Sequence, residues 1–134
     1  MTELVDRLRQ ASPAVLRIAL ALVFLAFGLW QLRDPASVVG WLPAEASMIP
    51  IPGATLGLLN GAFEVLFGAL LVLGVYTRLS ALLLGLHLAG ITLTIGFTQV
   101  GIRDFGLAFA TLAVALYGPD AYGVDARFAS EKPQ

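Results

Sequence analysis

Glu64 lies near the middle of Gly53–Tyr76, an apolar run in which Asn60 and Glu64 are the strongly polar side chains. A carboxylate at that depth in hydrocarbon costs a few kcal/mol or more, so such residues face a protein interior or a wet cavity and are candidates for ligand or proton chemistry. At 100° per residue, Gly57, Asn60, Gly61, Glu64 and Gly68 share one helical face, while Leu58, Phe63, Leu66, Leu70 and Leu73 take the other. One face is therefore polar and glycine-lined, and its opposite suits lipid. The same periodicity gives a stripe of Arg17, Ala21, Phe24, Gly28 and Gln31 in the first apolar run. It gives Ser80, His87, Thr94 and Thr98 in the third and Asp104, Ala108, Thr111 and Ala115 in the fourth. Lipid favours apolar side chains outside, so the four stripes are expected to converge inward.

The elements that must hold these stripes are four spans at 14–32, 53–76, 79–97 and 102–118. Runs of about 17–24 residues cover about 26–36 Å, the scale of a hydrocarbon core. The expected fold is all-α: an antiparallel four-helix transmembrane bundle forming a single domain. Composition agrees. Hydrophobic residues are 58% and charged residues 13% of 134, against about 25% charged in soluble domains. Mean hydropathy is +0.86. The net charge of −1 and the lack of a basic cluster argue against nucleic acid as a partner. No cysteine is present, which excludes thiol redox chemistry and thiolate metal sites. The first run is too long for a signal-peptide core, and no small-residue cleavage motif follows it.

Segment 33–52 holds Pro35, Pro43, Pro50 and Pro52, so it cannot be one helix. It also holds Val38, Val39, Trp41, Leu42, Met48, Ile49 and Ile51, too apolar for a free loop. It reads as an interfacial or re-entrant segment lying over one end of the bundle. Thr2–Gln10 is amphipathic and suits the membrane surface, and 126–134 reads as a frayed tail. Counting along the helices places Glu64, Asn60, Gln31 and Asp104 toward the end covered by 33–52. The expectation is a pocket opening at that end, with Glu64 at its floor and 33–52 as its lid.

The candidate ligand-binding residues are therefore Glu64, Asn60, His87, Asp104, Arg103 and Gln31. Each also has a structural reading. Glu64 can tie helices together, and His87 and Asn60 can be interhelical hydrogen-bonding groups. Arg103 and Asp104 can be the solvated start of a helix, where the dipole favours an acid. Arg17 can snorkel to headgroups or pair with an inner carboxylate.

The chain resembles the DoxX-like family of four-helix membrane proteins. The matching pieces are LRIALALVFLAFGLWQL at 16–32, GAFEVLFGALLVLGVYTR at 61–78 and IRDFGLAFATLAVALYGPDAYGVD at 102–125. Glu64 matches the family's acidic residue of the second helix. Arg103 and Asp104 match its basic-Asp pair, and Gly118, Pro119 and Asp125 match its closing motif. Gln31 stands where the family often has Lys, and Asp120 where glycine is common. The resemblance implies a membrane subunit of an oxidoreductase system rather than an enzyme alone, with a soluble or membrane redox partner and no tightly bound cofactor. A quinone or a lipid-like molecule is the implied ligand. A flat slot lined by Phe24, Phe63, Phe67 and Phe105 would take the ring, with Asn60, His87 and Glu64 serving its oxygens. Two other functions fit the same seam: a small transporter or proton-conducting subunit, and a structural anchor without ligand. Homo-oligomerisation is compatible with all three.

With four crossings both termini share one side. That side carries Arg7, Arg9, Arg17, Arg78, Arg127 and Lys132, against Arg33 and Arg103 on the other. Six against two places the termini in the cytoplasm of a prokaryotic plasma membrane. On this cysteine-free background, a Ser130→Cys variant should be protected from impermeant maleimide in intact cells and labelled after permeabilisation; labelling from outside would reverse the topology.

Overall fold

The computed structural model describes residues 1–130 and is helical, with no strand among the described residues. Four helices are long and apolar enough to cross a membrane: α1 (Thr2–Arg33), α2 (Gly53–Leu73), α3 (Thr77–Ile95) and α4 (Gln99–Tyr117). A short α5 (Val124–Ser130) follows. The residues expected to fray from 126 are thus helical as far as Ser130, and 131–134 lie outside the described residues.

The chain runs up, down, up, down. α1 packs mainly on α2 and α3 mainly on α4, with thinner contacts between the two hairpins. Glycine sets the closeness of the first pair. A Cβ on Gly61 would lie 2.8 Å from the Gly28 carbonyl oxygen, and one on Gly28 would lie 2.9 Å from that of Gly61. Further along, Gly68 faces the backbone of Ala21 and the side chain of Leu25. In the second pair Gly85 receives Leu112. Helix pairs in lipid gain from such backbone approach, because no hydrophobic effect separates helix from lipid tail.

The buried faces follow the sequence periodicity in three helices. Arg17, Ala21, Phe24, Gly28 and Gln31 are buried on α1, Gly57, Gly61, Glu64 and Gly68 on α2, and Asp104, Ala108, Thr111 and Ala115 on α4. α3 differs. Its buried residues are Thr77, Ser80, Ala81, Leu84, Gly85 and Leu88, while Thr94 and Thr98 are exposed. The inward face is turned by about 90° from the expected polar stripe. Gly85 lies against Leu112 of α4, and this close approach buries Ala81 and Gly85 beside Thr77 and Ser80.

The helix ends at the terminal side are closed by side chains from other elements. α2 stops at Leu73, short of the expected Tyr76, because Gly74 adopts a left-handed conformation, φ 70°. Its last-turn carbonyls at Leu71, which also accepts from the Gly74 N–H, and Val72 both accept from Arg17 Nη1 at 2.6 Å. Arg17 is 1% exposed, and its Nε donates to Asp120 Oδ2 at 2.6 Å. Arg17 is therefore a clasp joining α1, α2 and the turn after α4. Snorkelling, the other reading, does not occur. Burial pushes the Asp120 carboxyl up, but Arg17 and the N–H groups of Tyr122 and Gly123 outweigh it and hold it below the usual carboxylate range. Arg78 donates to the Ala115 and Leu116 carbonyls that end α4. Asp125 accepts from the N–H groups of Tyr76 and Thr77 at the start of α3. Each charge opposes the helix dipole it meets.

α1 is a single helix from Thr2, so the amphipathic Thr2–Gln10 stretch continues the span instead of forming a separate element. Its 32 residues span about 48 Å, more than a hydrocarbon core, and the excess stands beyond Arg17 at the terminal end. At the opposite end, 33–52 folds into two 3₁₀ turns, Pro35–Trp41 and Ala44–Met48, the first of them seated on α2. A side chain at Gly57 would collide with the Pro35 carbonyl and Val38.

Gly61→Ala should therefore destabilise the bundle by about 1–3 kcal/mol, since its new methyl meets backbone that cannot yield. Leu66→Ala, at a side chain 56% exposed on the lipid face, should change little. Thermal unfolding of both variants in one detergent checks the pair, and equal shifts would contradict the assignment of faces.

Candidate functional site

Three helices bring a polar cluster together at mid-depth. The close approach at Gly28 and Gly61 sets Gln31, one turn beyond Gly28, opposite Asn60 and Glu64. Gln31 Nε2 donates to Glu64 Oε2 at 3.1 Å, and Asn60 Nδ2 donates to Glu64 Oε1 at 3.2 Å. Asn60 Nδ2 also donates to Gln31 Oε1 at 2.6 Å. From α3, His87 Nε2 bonds Asn60 Oδ1. An amide oxygen can only accept, so His87 carries its proton on Nε2. Every donor in the cluster thus points toward Glu64, directly or through Asn60. Glu64 is 5% exposed and accepts at both oxygens. This arrangement suits a carboxylate that has lost its water, since each oxygen keeps a donor.

Asn60 is the hub. It is hydrogen-bonded to Gln31, Glu64 and His87 at once, while Gln31 and Glu64 each bond two members of the cluster and His87 one. His87 sits at the edge: its side chain is 27% exposed, its Nε2 is 4.0 Å from Glu64 Oε1, and its ring lies against Phe63 at 4.6 Å.

Above the cluster is a cavity of about 220 Å³ between the helices. Gln31, Asn60 and Glu64 form its polar floor, and Arg103 and Asp104 of α4 line it as well. Val38, Trp41, Leu42 and Pro43 of segment 33–52 contribute the covering wall. Asp104 is 7% exposed, and its Oδ1 accepts from Arg103 Nε and lies 2.8 Å from Arg103 Nη2. The Arg103 guanidinium lies 5.6 Å from the centre of the Phe27 ring, a cation–π contact at the cavity edge.

Five of the six candidate residues therefore surround one cavity, and the sixth, His87, reaches it through Asn60. The aromatic slot is different from expectation. Phe24 lines the cavity together with Phe27 and Trp41. Phe63 and Phe67 stack on each other, 4.8 Å between centres, and do not line it. Phe105 is exposed and pairs with Phe109. Phe27 was available from the sequence, since it lies on the same helical face as Phe24 and Gln31. Trp41 was not, because a proline-broken segment has no period from which to read a direction.

A family model described as DoxX matches residues 12–97, more than half of the chain. The matched stretch runs from α1 through α3 and includes Gln31, Asn60, Glu64 and His87. Arg103 and Asp104 fall outside it. No curated protein and no solved structure matches the chain.

The hub role of Asn60 has a measurable consequence. Asn60→Leu strips partners from Gln31, Glu64 and His87 together, and each orphaned buried group costs about 1–3 kcal/mol. His87→Leu releases only one bond at a half-exposed edge. Thermal unfolding in detergent should show Asn60→Leu as clearly the less stable of the two.

Proposed function

The chain belongs to the DoxX family of membrane proteins, and we propose that it is a ligand-binding membrane subunit of an oxidoreductase system. The ligand is a quinone or a lipid-like molecule held above Glu64. One observation carries this reading. An apolar-lined cavity has a floor of hydrogen-bonded Gln31, Asn60 and Glu64 and a separate cover from 33–52. Ligand sites share this make-up, mostly apolar walls with a few convergent polar groups. An anchor needing only cohesion would gain as much from apolar side chains, since buried charge is weak support for stability.

The lower half of the bundle supports ligand binding over a conducting path. Leu20, Leu71, Leu84 and Ala81 fill it, and the Arg17 clasp closes its end. The chain has no cysteine, and one histidine cannot supply a bis-histidine haem. Electrons would come from a partner protein, and this subunit would bind and orient the carrier. The terminal end, with its excess of Lys and Arg, faces the cytoplasm, and the cavity opens toward the other side.

Glu64→Gln tests the reading. The amide still accepts from one neighbour but confronts the other with a second donor, a loss of about 1 kcal/mol offset by the removal of a buried charge. The variant should fold with a melting temperature near wild type and lose the amphiphile that co-purifies with wild type, read by native mass spectrometry and lipid extraction. Full retention of that molecule in well-folded Glu64→Gln would leave Glu64 a purely structural role.

A further inference from the structure

The hydrogen-bond accounting of the cavity is lopsided. Asn60 has spent both amide N–H groups, on Gln31 and on Glu64. His87 has spent its Nε2 proton on Asn60. Thr94, on the cavity wall, donates its hydroxyl proton to the Ile91 carbonyl at 2.7 Å. Arg103 turns Nε and Nη2 to Asp104 Oδ1, and its side chain is 52% exposed at the edge. One N–H of Gln31 and the outer N–H groups of Arg103 are what remain to offer a ligand.

The Arg103 donors lie at the exposed edge, and away from that edge acceptors predominate. Asp104 is more than nine-tenths buried, and its Oδ2 has no partner among the described residues. Among the described residues no buried side-chain polar atom lacks both a partner and access, so this oxygen is accessible, and Asp104 lines the cavity. Each Glu64 oxygen accepts one bond and has capacity for another. The Thr94 hydroxyl oxygen is a further acceptor. There is also room for a ring. A cavity of about 150 Å³ takes benzene, so 220 Å³ accommodates one substituted six-membered ring.

We propose that the cavity binds a single-ring amphiphile through hydroxyl or amine donors on its ring, and discriminates against the carbonyl-only form of the same ring. For a quinone couple this is the reduced, quinol form. The proposal rests on the ligand-binding reading above and specifies which chemical form the site prefers. A ring carbonyl placed against Asp104 Oδ2 would face a lone pair with no proton between them, and that uncompensated burial is the source of discrimination.

The test titrates the full-length protein in nanodiscs, under argon, with three ligands carrying the same short chain: an alkyl-hydroquinone, the matching alkyl-1,4-benzoquinone and the alkylbenzene. Calorimetry gives the affinities, and the lack of cysteine removes thiol addition to the quinone as a side reaction. The hydroquinone should bind about tenfold or more tightly than the quinone, with the alkylbenzene weaker than the hydroquinone. Asp104→Asn, which exchanges a pure acceptor for a group that also donates, should bring the ratio close to one. If that variant does not fold, the wild-type ratio decides alone. Quinone binding equal to or tighter than hydroquinone, saturable and lost when Leu107→Trp fills the cavity, would overturn the donor preference while leaving the pocket reading standing. No saturable binding of any of the three, or binding unaffected by Leu107→Trp, would overturn the pocket reading and the preference with it.

Discussion

Everything above the terminal end of this bundle depends on the burial of Arg17. A cation inside a bilayer is tolerated where its charge and all its donors are answered by protein. Arg17 meets a carboxylate on one side and two last-turn carbonyls of α2 on the other. It therefore solves two problems together. The last carbonyls of α2 need donors beyond their own helix, and α4 must be tied to α1 although their direct contact is thin. Removing one partner of such a buried pair costs about 3–5 kcal/mol, because the other charge is stranded. Arg78 and Asp125 repeat the device at the ends of α4 and α3. Fixed ends at one side of the bundle leave the other side free to be hollow.

Close backbone contact then carries the geometry from the clasp to the polar cluster. Along α1 and α2 the contacts step from Arg17 with Val72, through Ala21 with Gly68, to Gly28 with Gly61, in one antiparallel register. The next turn brings Gln31 to Asn60 and Glu64. A larger residue at Gly28 or Gly61 would separate the helices where amide and carboxylate must meet within 3.1 Å. The glycines are thus the means by which a glutamate in an apolar helix finds its donors, and stability and site geometry share the same residues.

The hollow at the far end has a physical origin as well. There the interior residues are amides, acids and rings, whose shapes and hydrogen-bond directions interlock less completely than the leucines and alanines below them. Segment 33–52 closes the space without filling it. Its prolines prevent a straight helix, and its first short turn holds Val38, Trp41 and, at its end, Leu42 over the opening.

The sequence by itself determined the spans, the fold class and the inward faces of α1, α2 and α4. Lipid demands an apolar exterior, so a polar residue at helical spacing reports its own direction. Glu64, Asn60 and Gln31 were legible for that reason, and Asp104 with them. Tertiary structure decided what the period does not encode. The rotation of α3 follows the fit of Gly85 against Leu112 of α4, which buries Thr77 and Ser80 and leaves Thr94 outside. The partner of Arg17 lies 103 residues away in a turn without periodicity, so the distinction between snorkelling and clasping waited on the position of Asp120. The cavity wall likewise depended on how a proline-broken segment settles over the bundle. A helical period gives direction around one axis; distance between elements, and hence which polar groups spend their protons on one another, exists only once the helices have packed.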